Sequence, residues 1–115
     1  MNDGRTDFEL LRDFIRRGDQ QAFAETVRRH LDLVYATALR KVENQPAAEE
    51  VAQNVFSALA RKAWQFGPGD SLASWLYRAS LLEAKEWWRG ELRRRCREQT
   101  AAELLRGRTA ISMLL

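Results

Sequence analysis

The sequence predicts an all-α protein, a compact bundle of about four helices. Gly and Pro number only 6 and 2 among 115 residues. Ala, Leu, Arg and Glu are abundant while β-branched residues are few, a composition that suits helices better than sheets. Apolar residues also recur at spacings of three and four over long stretches. The length suits one domain with a modest core and leaves no room for a second of ordinary size.

The first helix begins at Thr6, where Thr6-Asp7-Phe8-Glu9 has the spacing of a capping box, and it stops at Gly18. Phe8, Leu11, Phe14 and Ile15 form its apolar face. Asp19 can cap a second helix of about six turns, on which Phe23, Val27, Leu31, Val34, Ala38 and Val42 recur. Asn44-Gln45-Pro46 breaks that pattern, and Pro46 suits the first turn of a third helix reaching about Trp64. Its apolar stripe is Ala48, Val51, Ala52, Val55, Phe56, Leu59 and Ala63. Glu50, Gln53, Asn54, Ser57 and Arg61 fall together on the opposite side. Periodicity alone makes that row a solvated face.

Gln65-Phe66-Gly67-Pro68-Gly69-Asp70 is the most loop-like stretch, and Asp70 or Ser71 can cap a fourth helix running well past Arg89. Two apolar stripes mark that helix. Tyr77, Leu81, Ala84, Trp88 and Leu92 form one; Leu72, Trp75, Ala79 and Leu82 lie on nearly the reverse side. One stripe is expected to face the core and the other a neighbour or ligand. From Thr100 onward, Leu104, Leu105, Ile111, Leu114 and Leu115 mix with polar residues, and the pattern assigns no structure.

The formal charge is +3. The stretch Lys85 to Arg108 holds eight basic residues against four acidic ones, so the excess is concentrated near the C-terminus. The lone Cys96 excludes an internal disulfide and reads as an incidental surface thiol. No apolar run approaches the roughly 20 residues of a membrane span, and the N-terminus lacks a signal-peptide layout. A cytoplasmic protein without membrane association is expected.

Enzymatic chemistry has little support, and no cofactor or metal is expected. His30, the only histidine, reads as a helix-surface or half-buried residue rather than a catalytic or metal-binding one. Gly67-Pro68-Gly69 lacks the Lys-Ser/Thr of a phosphate loop. Glu49 and Glu50 are adjacent and point apart on a helix. A nucleic-acid surface fits better. Trp64, Phe66, Trp75, Tyr77, Trp87 and Trp88 offer faces on which unpaired bases can stack. Arg78, Lys85, Arg89, Arg93 and Arg94 stand beside them for phosphates. Core packing is the competing role for Trp75, Tyr77 and Trp88, whereas Trp64 and Phe66 flank a loop.

Three segments occur in order: Gly18-Asp19-Gln20-Gln21-Ala22-Phe23, Ala48-Glu49-Glu50-Val51-Ala52-Gln53-Asn54-Val55-Phe56 and Ser74-Trp75-Leu76-Tyr77-Arg78-Ala79. From roughly Asp7 to Arg97 the chain closely resembles region 2 of the extracytoplasmic-function (ECF) type of bacterial sigma factor. The resemblance implies that the third helix docks on a coiled coil of the largest subunit of core RNA polymerase, through Glu50, Gln53 and Asn54, with Ser57 and Arg61 in the same row. It implies that the following loop holds a base flipped from the non-template strand of the −10 promoter element, with Trp64, Gln65, Phe66 and Asp70 around it. The fourth helix would contact the opening DNA through Arg78, Ser80, Lys85, Arg89, Arg93 and Arg94. An anti-sigma factor is a further partner the resemblance allows.

Two departures stand out. Many relatives carry Asn where Ser80 or a neighbour stands, and Leu81, Leu82 and Glu83 make this stretch less polar and basic than expected. Residues 1–99 are read as the region 2 domain and 100–115 as a tail. Nothing after Thr100 supplies the helix-turn-helix of region 4, so recognition of the −35 element is expected to be absent. The expected function is transcription initiation by polymerase binding and −10 melting. The alternative is a truncated or regulatory module that occupies the polymerase site without initiating.

Overall fold

A computed structural model of the chain describes residues 3–114. Four α-helices carry the fold: α1 (Asp7–Arg17), α2 (Gln20–Val42), α3 (Gln45–Lys62) and α4 (Leu72–Leu114), with a 3-10 turn at Ala63–Gln65. The described residues contain no strand.

The local signals end the helices where the sequence places them. The Thr6 hydroxyl accepts from the Glu9 N–H at 3.2 Å, and Gly18 closes α1 in the left-handed conformation, φ 63°. Asp19 accepts from the Ala22 N–H at 3.0 Å and starts α2. Asn44 does the same for α3 through the Ala47 N–H at 2.9 Å, with Pro46 in the first turn. Of the two candidate caps for α4, Ser71 is the one used, its hydroxyl accepting from the Ser74 N–H at 3.2 Å.

Leu11 of α1, Val34, Ala38 and Val42 of α2, and Ala48, Val51, Val55 and Leu59 of α3 meet Leu72, Leu76 and Ala84 of α4 in one core. The α4 contribution corrects the sequence reading. Neither predicted stripe faces inward as a whole; the buried line is Leu72, Leu76, Ser80 and Ala84, one residue every four. Leu76, absent from both stripes, is fully buried, and burying such a side chain contributes about 1.5–3 kcal/mol. Three buried hydroxyls are satisfied within their own helices: Thr26 donates to the Ala22 carbonyl, Thr37 to Leu33 and Ser80 to Leu76.

The segment after Thr100, to which the pattern assigned no structure, continues α4. The side chains of Ile111 and Leu114, together with Leu115, lie outside the described residues. With this continuation the molecule measures 75 × 26 × 24 Å, so α4 outruns the bundle.

Candidate functional site

Several concave surfaces surround α3 and the start of α4. The first lies at the loop. Gln65, Phe66, Asp70, Ser71, Ser74, Trp75 and Arg78 line a cleft of about 290 Å³. The loop is folded on itself: the Asp70 carboxylate accepts from the Gly67 N–H at 2.7 Å, and the Asp70 N–H donates to the Gly67 carbonyl at 3.2 Å. One Asp70 oxygen is thereby committed to holding the loop. Phe66 is half-buried and meets Trp75 edge-on, ring centres 5.5 Å apart. Trp64 stands outside this cleft with 70% of its surface exposed. Ser71 and Ser74 line the cleft as well; the sequence marked Ser71 only as a cap, and a serine at a helix start carries no other signal.

Along α4, Ser74, Trp75, Arg78, Lys85, Arg89 and Arg93 fall within about 100° of one another at 100° per residue, so a basic track leads away from the cleft. Arg78, Lys85, Arg89 and Arg93 are exposed. Arg89 is paired with Glu86 at 2.7 Å.

Two predicted DNA contacts sit elsewhere. Ser80 is completely buried and its hydroxyl donates to the Leu76 carbonyl at 2.7 Å. It faces the core because it continues the Leu72-Leu76 line. Arg94 lies about 100° from Arg93 around the helix and bonds Glu91 and Glu98. It lines a second cleft, with Glu50, Asn54, Glu83, Glu86, Trp87, Gly90 and Glu91. Glu91 is held below the ordinary carboxylate range by its hydrogen bond with Arg94.

All five members of the α3 row, Glu50, Gln53, Asn54, Ser57 and Arg61, are exposed. Four of them divide between two grooves, and Arg61 borders neither. Glu50 and Asn54 border the acidic cleft against α4. Gln53 and Ser57 border a larger groove against α2, of about 830 Å³, floored by Phe23, Val27, Leu31, Tyr35, Ala52, Phe56 and Ala60 and edged by Asp32 and Glu49. The polar row is thus the crest between the two, with apolar surface within reach on one side and carboxylates on the other.

The remaining candidates are plain. His30 is half-buried, with Nε2 at 3.0 Å from Asp7, a partner brought from α1. Cys96 is exposed. Among the described residues, no helix is long and apolar enough to cross a membrane.

A helical domain that presents an exposed polar crest, an aromatic loop cleft and a basic helix track defines a class of binding module. The family model for sigma-70 region 2 matches residues 26–101, and the chain belongs to that family. It is 33% identical over 64 residues to the ECF RNA polymerase sigma factor SigW of Bacillus subtilis (strain 168), a match covering 56% of this chain and 34% of the relative. This supports the ECF type. The match spans about a third of the length of that relative. Among solved structures, the chain is similar to an engineered region 2 of sigmaE, determined by NMR in complex with GTAAAA. The TM-score is 0.71 at 29% identity, covering 82% of this chain and 97% of the other.

Proposed function

We propose that this chain acts in transcription initiation, binding core RNA polymerase through the α3 crest and engaging the melted non-template strand of the −10 element through the loop cleft and α4. The observation that carries this reading is the loop cleft, on a domain similar to one solved with the oligonucleotide GTAAAA. A cleft of about 290 Å³ accommodates one flipped base. Extruding a base costs a few kcal/mol in lost stacking and pairing, which contacts in a pocket must offset. Here the Phe66 and Trp75 rings supply apolar surface, each base stack contributing roughly 1–3 kcal/mol. Gln65 and the second Asp70 oxygen are free to bond the base edge. Arg78, Lys85, Arg89 and Arg93 then follow the phosphates, holding the strand in register without reading its sequence.

The polymerase contact is assigned to Glu50, Gln53 and Asn54, with Ser57 and Arg61 extending the row. Their exposure on one side of a helix whose reverse is fully packed supports this assignment. The protein supplies binding and strand capture, and the RNA is made by the polymerase.

The test is co-elution of the chain with core RNA polymerase, beside the double variant Glu50→Lys/Gln53→Ala. The natural chain is expected to be retained and the variant lost, with an unchanged helical circular dichroism spectrum. Equal retention of both would overturn the polymerase assignment. Run-off transcription from a pre-melted promoter then separates an initiating factor, which gives transcript, from a module that only occupies the site.

A further inference from the structure

The projecting half of α4 and the groove between α2 and α3 have complementary surfaces. The last apolar side chains of α4 packed on the core are Trp87 and Trp88. From Leu92 to Arg108 every side chain is exposed except half-buried Ala102. Residues 92–114 therefore extend about 34 Å beyond the bundle. A helix of that length gains most of its stability from packing one face on something else, and Gly107 in its interior weakens it further. Arg97, Ala101, Leu104 and Arg108 follow at spacings of four, three and four, which gathers them on one face. Leu104 is 67% exposed, and among the described residues neither arginine has an acidic partner.

The α2/α3 groove is the counterpart. Its apolar floor, about 830 Å³ in volume, lies open between the two ridges and includes exposed Leu31. The small side chains of Ala52 and Ala60 leave room in that floor for the side chains of an entering helix, beside the larger Phe23, Tyr35 and Phe56. Among the described residues, Asp32 and Glu49 on its rim have no basic partner. Apolar anchors flanked by cations thus meet an apolar floor flanked by carboxylates, the helix-in-groove mode of recognition.

We propose that the occupant is a second copy of this chain, each copy laying the Arg97–Arg108 face of α4 in the α2/α3 groove of the other. The same chain cannot fill its own groove. α4 is one unbroken helix from Leu72 to Leu114, and its first half is fixed against α2 and α3. A two-fold pair makes the contact twice, so both projecting helices and both grooves are covered at once. Gln53 and Ser57 also border the groove. Dimer and polymerase would therefore compete for that surface; this consequence alone rests on the function proposed above, and the dimer itself is tested without polymerase.

The experiment is sedimentation velocity of the full chain over a concentration series from low to high micromolar. A reversible monomer–dimer equilibrium is expected. Leu104→Glu, an exposed change that leaves the bundle core intact, should weaken the dimer at least roughly tenfold, as should Asp32→Lys/Glu49→Lys in the groove. Adding Arg97→Glu/Arg108→Glu to the groove variant should restore association by exchanging the charges. A monomer at every concentration overturns the proposal. So does a dimer lost through Leu104→Glu but untouched by the groove variant, since that pattern describes two α4 helices pairing with each other.

Discussion

The indole N–H of Trp88 donates to the backbone carbonyl of Lys41 at 2.8 Å, joining residues 47 apart in sequence. Lys41 lies in the last turn of α2, where carbonyls have no partner within the helix. The bond therefore satisfies a group that α2 leaves open and fixes the point at which α4 departs from the bundle. Trp87 meets the Trp88 ring edge-on, centres 5.0 Å apart. Trp88→Phe keeps most of the apolar surface and removes the bond, so a loss of about 1 kcal/mol is expected. Trp88→Ala removes both and should cost roughly 3 kcal/mol. Urea unfolding with an unchanged m-value measures each.

The loop aromatics separate stability from binding. Trp64 is largely exposed and caps nothing, whereas Phe66 packs on Trp75. Trp64→Ala should leave stability within about 0.5 kcal/mol, as surface changes do. If a base stacks on Trp64, the same change weakens binding of single-stranded GTAAAA by roughly 1–3 kcal/mol. Phe66→Ala should lower both stability and binding. Fluorescence anisotropy at fixed salt, beside thermal unfolding, distinguishes the two residues.

Ser80 gives a sharper contrast. Its hydroxyl is turned to the Leu76 carbonyl inside the core, so Ser80→Ala should leave DNA affinity unchanged at constant salt. Ser80→Arg places a charge where no solvent reaches and should unfold the domain. An affinity loss in Ser80→Ala without a stability change would return this residue to the DNA surface.

These positions show what the sequence holds and what it leaves out. Helix starts and stops were legible because caps are local: Thr6, Gly18, Asp19 and Pro46 act on backbone groups within four residues of themselves. The α3 row was legible because one side of that helix is uniformly apolar. The inward face of α4 was not, because α4 packs against both α2 and α3 and the buried line falls between its two apolar stripes. A serine on that line looks like surface until its hydroxyl is seen bonding its own helix. Arg93 and Arg94 look equivalent in an arginine run, yet adjacent helical positions point to different surfaces. The grooves on either side of α3 depend on which side chains α2 and α4 bring from elsewhere in the chain, which no local pattern records.

The N-terminal acids set the response to acid. The Arg5 guanidinium bonds Asp3, Asp13 and Asp19, and its hydrogen bonds hold Asp3 down to about 2. Asp13 is lowered chiefly by the same guanidinium, Asp19 by the Ala22 N–H and then by Arg5. Each folded value lies below the unfolded value near 3.9, so the stabilisation is complete above roughly pH 5 and is lost as pH falls toward 2. Arg5→Ala should reduce the melting temperature at neutral pH and flatten its fall across that window. Parallel acid limbs in the two proteins would show that the cluster contributes no linkage.

Arg93 and Arg94 supply the strictest comparison on the DNA side. Arg93 continues the exposed track of Arg78, Lys85 and Arg89 and has no carboxylate partner among the described residues. Arg94 already holds Glu91 and Glu98 and borders the cleft beside Glu50. To meet a phosphate it would have to release two carboxylates and turn about 100° around the helix. Each phosphate contact on single-stranded DNA contributes roughly 0.7 to the slope of log K against log salt. Arg93→Ala should therefore lower affinity for a single-stranded −10 probe and reduce that slope by about 0.7. Arg94→Ala should leave the slope unchanged and instead release Glu91, whose pKa then rises toward its ordinary value. Titrations at three or more salt concentrations read the slopes, and equal losses in the two variants would place both arginines on the DNA.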